Sequence, residues 1–251
     1  LTLVFALSGC SKKEETAEQP ATPAQPTGKK VDPANAGSLS GTVRFEGAAP
    51  KPQRIRMDAE PACAKLHAGA VTSEEIVLGD KGSLANVVVY VKSGLEGYAF
   101  DTPKEPVVLD QKGCIYIPHV TAVMVNQPID ITNSDPTTHN VHPQPVNNRD
   151  WNKSQPPGSA KLTESFAREE VAIKVKCNVH PWMTSYIAVL KHPYFRVTGK
   201  DGSFSLANLP PGNYTVAAWH ETLGTLEQQV TIGPKESKTG VEFVFKAQSG
   251  D

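Results

Sequence analysis

Val171-Ala172-Ile173-Lys174-Val175-Lys176-Cys177-Asn178-Val179-His180-Pro181-Trp182-Met183 joins an alternating strand to a short loop carrying a thiol, an imidazole and a thioether. A period of two puts Val171, Ile173, Val175 and Cys177 on one face and Ala172, Lys174 and Lys176 on the other. The strand therefore delivers its thiol from the core side, and the tight loop returns His180 and Met183 toward the same point.

A soft thiolate, borderline imidazoles and a weak axial thioether suit copper that cycles between Cu(II) and Cu(I), because the set compromises between the geometries the two states prefer. A second imidazole must come from another strand. Ile129-Asp130-Ile131-Thr132-Asn133-Ser134-Asp135-Pro136-Thr137-Thr138-His139-Asn140-Val141-His142 supplies it in His139, just past a strand and its polar turn.

Together these two segments resemble the cupredoxins, the type 1 (blue) copper family, plastocyanin-like and most closely of the amicyanin kind, in a match that covers about a third of the chain. The shared features are the short Cys-x-x-His-x-x-Met loop and the His-Asn-Val-His string. The resemblance implies one copper per chain held by His139, Cys177, His180 and Met183, with His139 rather than His142 as the upstream ligand. It implies that Asn140 ties the two ligand loops together, and that the His180 edge, flanked by Pro181 and Trp182, emerges in an apolar patch as the electron port. His142 is expected to be a nearby surface or supporting histidine; as a direct ligand it would make a variant site.

From Gly37 onward the text is β-like. LSGTVRF, LANVVVYVK, QPIDITN, EVAIKVKC, SYIAVL, NYTVAAW, EQQVTI and VEFVF are separated by Gly, Pro, Asn and Asp, with no amphipathic helix of useful length. The stretch from Val197 to Val216, with Asp201-Gly202 and Pro211-Gly212 as turn dipeptides, resembles the second half of a carboxypeptidase regulatory-like (transthyretin-like) β-sandwich. Its turns suit antiparallel neighbours. The usual first half stands far upstream, as Leu39-Ser40-Gly41-Thr42-Val43 and Val87-Val88-Val89-Tyr90-Val91. The expectation is an all-β chain in which a Greek-key cupredoxin-like sandwich, residues 105–191, is inserted in a discontinuous sandwich made of 38–104 plus 192–246. Two domains in series are the runner-up.

Leu7-Ser8-Gly9-Cys10 follows an apolar run and resembles a bacterial lipobox, so residues 1–10 read as a signal-peptide end and Cys10 as a lipidated residue. Residues 11–37, rich in Pro, Ala, Thr, Gln and charge, read as a disordered tether. The setting is then the periplasm or cell envelope, with membrane contact through lipid. Ser11 is not the aspartate retention signal, which leans toward the outer membrane.

With Cys10 assigned to lipid and Cys177 to copper, Cys63 and Cys114 remain to pair as a disulfide, which export permits. The alternatives are an auxiliary metal site with His67 and His119, or free thiols. Trp219-His220-Glu221 lacks the second histidine of a zinc-protease helix and reads as strand-end packing. Formal net charge is −1 without a dense basic run, so nucleic acid is not an expected partner.

The function expected is single-electron transfer between an envelope redox donor and acceptor, without catalysis. One alternative is a copper oxidoreductase whose second, intersubunit copper is built from His119, His142, His192 or His220. Others are a module binding envelope polymer or protein with copper secondary, and copper storage or delivery, for which three methionines are few.

Overall fold

The structure is a computed structural model that describes residues 27–247. Cys10 and the expected signal-peptide end and tether up to residue 26 lie outside the described residues. The fold is all-β, with 47% of the described residues in strands and 3% in helix. Its strands form two sandwiches, each around its own core.

In the first sandwich, Gly37–Glu46 is the middle strand of a three-stranded sheet, antiparallel to Ser203–Leu209 and parallel to Ser237–Lys246. The facing sheet runs Phe195–Val197, Val88–Ser93, Gly212–His220, Gly224–Ile232, all antiparallel. Alternation explains the packing: Leu39, Val43 and Phe45 point inward from one sheet and meet Val89, Val91, Tyr214 and Val216 from the other. Gly41 is required by a close approach, since a Cβ there would run into the carbonyl of Val241 on the parallel neighbour.

The strands on either side of Asp201-Gly202 and of Pro211-Gly212 do not pair with each other, contrary to the antiparallel pairing expected. Each connection carries the chain from one sheet to the other. The hydrogen-bonding partners come instead from the upstream strands Gly37–Glu46 and Val88–Ser93. Gly202 makes the first corner with φ +66, and Pro210 and Pro211 have no N–H to offer a ladder at the second.

The second sandwich has a five-stranded sheet, in the order Val120–Met124, Thr184–Leu190, Glu170–Lys176, His139–Gln144, Lys153–Gln155. It packs on a four-stranded sheet of Tyr116–Ile117, Val107–Gln111, Ile129–Asn133 and Leu162–Glu164. Leu109, Ile129, Ile131, Val141, Ile173, Val175 and Ile187 fill the space between them, each contributing roughly 1.5–3 kcal/mol on burial.

Val171 departs from the expected face. Ala172 has φ +74, and the register to Thr184–Leu190 shifts between Glu170 and Ile173. This bulge resets the alternation, so Ile173, Val175 and Cys177 face the core while Val171 packs on the other side against Val120 and Ala188. The bulge also buries Glu170, whose carboxylate accepts the N–H groups of Val146, Asn147 and Asn148. Burial alone would raise that carboxyl, but these donors hold it below its ordinary value. Glu170→Ala is expected to cost about 1–3 kcal/mol by stranding the donors; an unchanged urea midpoint would refute it.

Two expected boundaries are corrected. The tether does not run to residue 37, because the Lys29 N–H donates to Gly97 O, the Ala99 N–H to Lys29 O, and Lys30 pairs with Asp101 at 2.7 Å. The segment around Cys63, expected in the first sandwich, packs instead on the second: Met57 and Cys63 belong to its core. Among the described residues no helix is long and apolar enough to cross a membrane.

Candidate metal centre

Strand alternation and one turn bring His139, Cys177 and His180 together, with Met183 buried in the same core as Cys177. The polar turn after Ile129–Asn133 ends at His139, the first residue of its strand, and Cys177 follows the last residue of Glu170–Lys176. These two strands are antiparallel neighbours, Lys176 opposite His142. The loop from Cys177 is closed on itself, with the Met183 N–H donating to His180 O and the Cys177 N–H to Met183 O (2.9 and 3.2 Å). His139, Cys177, His180 and Met183 are all buried.

His139 Nδ1 and His180 Nδ1 face each other at 2.9 Å, and Cys177 Sγ lies 3.9 Å from His180 Nδ1. One ligand atom from each of His139, Cys177 and His180 falls within 4.8 Å of the others. Two further groupings among the described residues, Cys63–Cys114–His180 and Cys114–Asp135–His139, contain sulfur committed to a disulfide. The trio of His139, Cys177 and His180 is therefore the one with free donors.

The outer edge of His139 is fixed by Asp135, whose carboxylate accepts Nε2–H at 2.9 Å and also the N–H groups of Gly113 and Cys114. That bond keeps the Nε2 proton in place and turns the Nδ1 lone pair inward. Asn140 Oδ1 accepts the Asn178 N–H at 2.6 Å and lies 3.4 Å from Cys177 Sγ, so it does join the two loops.

Electrostatics favour a thiolate at this point. Burial would raise the Cys177 thiol, but His139 and the N–H groups of Asn140, His180 and Val179 outweigh it and hold the thiol below its ordinary value. Burial opposes charge on His139 too, yet Asp135 and Cys177 lift it to about 9. His180 is pushed down by burial and by the positive charge of His139.

The residues fit a copper ion. Two imidazole nitrogens aimed at one another need either a shared proton or a cation that both can donate to, and a thiol biased toward thiolate completes a soft set that disfavours calcium or magnesium.

His142 is not drawn in. Three residues from His139 on a strand, it lies on the opposite face, where Nε2 meets Asp150 and Nδ1 meets Asn178. His67 contacts Gly113 O, His119 pairs with Glu221, His192 contacts Val91 O, and His220 contacts Thr222. Cys63 and Cys114 are joined as a disulfide, so the auxiliary site of Cys63, His67, Cys114 and His119 does not assemble.

The expected exposed edge on His180 is absent, since the residue is only 1% exposed. Pro181 is exposed, and Trp182, 5.2 Å from the His180 ring, is half-buried with its indole N–H on Cys114 O. Sequence reasoning missed Asp135, although its place four residues before His139 was the available signal. It also missed the cover over His180, for which no local signal exists.

No family model matches the chain, and no curated protein matches it. Among solved structures it is similar to a purple cupredoxin from Nitrosopumilus maritimus (22% identity, 33% of this chain and 98% of that one, TM-score 0.29). It is also similar to an oxidized point mutant of amicyanin (16% identity, 40% of this chain and 97% of that one, TM-score 0.31). A third is a Cu-containing nitrite reductase from Thermus scotoductus SA-01, at 20% identity over 36% of this chain, TM-score 0.31; the chain spans 23% of that protein's length.

Proposed function

We propose that the chain binds one copper through His139, Cys177 and His180, with Met183 as the axial thioether, and carries single electrons between redox partners of the cell envelope. The observation that carries this reading is the convergence of the two Nδ1 atoms and Cys177 Sγ at one buried point. Copper would supply a one-electron Cu(II)/Cu(I) couple there. The protein's part is to hold the donors still: Asp135 orients His139, Asn140 clamps the Cys177 loop, and the surrounding core excludes water. A rigid donor set changes little between oxidation states, which favours fast transfer.

In this reading the copper-carrying sandwich, residues 105–191, is an insertion in a discontinuous one made of 38–104 and 192–246, except for the segment around Cys63. A lipid on Cys10 would anchor the protein to a membrane, the outer one by the Ser11 criterion.

The test is to add Cu(II) to the full chain and record visible absorption and electron paramagnetic resonance. An intense thiolate-to-copper band with one copper per chain is expected for the wild type, and none for Cys177→Ala. A wild type that takes up Cu(II) without the band would overturn the reading.

A further inference from the structure

His180 is sealed by a piece of chain that strand patterning does not assign to its sandwich. Residues 53–73 leave and return through a closed neck, the Ile55 N–H donating to Val71 O and the Ser73 N–H to Gln53 O. Between these points the strap carries the short helix Pro61–Ala64 and buries only Met57 and Cys63 deeply. Both join the core that contains Cys177 and Met183. A sulfur of Cys63 and one of Cys114 lie within 4.8 Å of a His180 ring nitrogen.

The turn at Gly113-Cys114 gathers every tie. It takes the disulfide from Cys63, the His67 contact on Gly113 O at 2.8 Å, the Trp182 N–H on Cys114 O, and the Asp135 carboxylate that also holds His139. Gly113 and Cys114 both have positive φ, which turns their two N–H groups together toward that carboxylate. On the far side, a cavity of about 440 Å³ between strap and loop is walled by Arg54, Arg56, Glu74, Pro181 and Trp182.

We propose that this strap, fastened by Cys63–Cys114, determines what can reach the metal centre: it shuts the imidazole edge of His180 off from solvent and leaves the Pro181–Trp182 wall of the cavity as the approach. The proposal rests on the copper reading for its purpose, though not for its geometry. Beyond Met57 and Cys63 only the partly buried Ile55, Ala64 and Val71 pack the strap on that core, so the covalent bridge decides whether it stays down.

The experiment is acylation of histidines by diethyl pyrocarbonate on the metal-free full chain, mapped by mass spectrometry, with His142, its side chain 18% exposed, as internal reference. Oxidised protein is expected to acylate at His180 at least about tenfold more slowly than at His142, and cutting the disulfide with a phosphine should remove most of that protection. Cys63→Ser/Cys114→Ser should behave like the reduced protein, its fold checked by circular dichroism. In parallel, copper-loaded protein should lose metal to a chelator faster after the same reduction. Equal labelling of His180 and His142 in oxidised protein, or protection that survives opening of the bridge in both the reduced and the doubly substituted protein, would overturn the proposal. Failure of the copper reading would appear separately, as a missing absorption band with His180 still protected.

Discussion

Asp135→Ala is expected to lower copper affinity by about 10–100-fold, measured by competition with a chelator. The carboxylate is 3% exposed and accepts three donors: His139 Nε2–H at 2.9 Å and the N–H groups of Gly113 and Cys114 at 2.6 and 2.7 Å. Without it the imidazole can rotate or change tautomer, and either event removes the Nδ1 lone pair from the shared point. Three donors would also be left buried, so the metal-free protein should lose stability by about 1–3 kcal/mol or more. Burial raises the Asp135 carboxyl, but His139 and the two backbone donors overcome this and hold it below its ordinary value of 3.8. Its contribution is therefore present above pH 3.8 and lost as pH falls through the lower folded value. Asp135→Asn keeps the shape but aims an NH₂ at one of the donors, so it should recover only part of the affinity. Wild-type affinity in the alanine variant would show that His139 is held by its packing alone.

How far the molecule could be read from its text depended on the range of the forces involved. The runs LSGTVRF, SYIAVL and NYTVAAW, and EVAIKVKC up to its terminal Cys177, lie in observed strands because alternation is a local consequence of one buried face. Short strands such as Lys153–Gln155 and Leu162–Glu164 carry too few residues to show a period. Val171 was misplaced because a bulge with a left-handed alanine has no composition signal, alanine being common on either face. His139, Cys177 and His180 were legible as chemistry, since His139 opens a strand, Cys177 directly follows one, and His180 lies in the short loop from Cys177 that closes on itself. The burial of His180 was not, because the Cys63 sulfur beside its ring arrives from a segment far upstream, with nine strands between the two in the chain. Glu221 read as strand-end packing and His119 entered only the alternative metal sites for the same reason: their contact spans 102 residues.

That contact sets the last expectation: Glu221→Gln should destabilise the chain by about 3–5 kcal/mol and flatten part of its pH dependence. His119 Nε2 pairs with a Glu221 carboxylate oxygen at the seam between the two sandwiches, with the side chains 7% and 5% exposed. The apolar part of that seam has three buried residues, Val88, Val120 and Ala188, edged by the partly buried Tyr90, Ala122, Val171, Tyr186, Val197 and Trp219; the Tyr186 and Trp219 rings stand 5.5 Å apart. The buried pair beside that apolar patch helps fasten one sandwich to the other, and removing the carboxylate leaves the imidazole without its charge partner in low dielectric. Burial by itself would lower the His119 imidazole, yet Glu221, aided by Glu74 and a backbone contact at Thr184, raises it above the ordinary 6.5. A raised folded value means the stabilisation is complete below about pH 6.5 and fades as pH climbs through the folded value. Wild-type urea midpoints should accordingly fall as pH rises from 6.5, while Glu221→Gln starts lower and loses less over the same window. A double-mutant cycle with His119→Gln separates the pair's own coupling from the packing of each side chain. Parallel pH curves for wild type and Glu221→Gln would mean that His119 is neutral in the folded protein, and that the seam is held by Tyr186, Trp219 and their aliphatic neighbours instead.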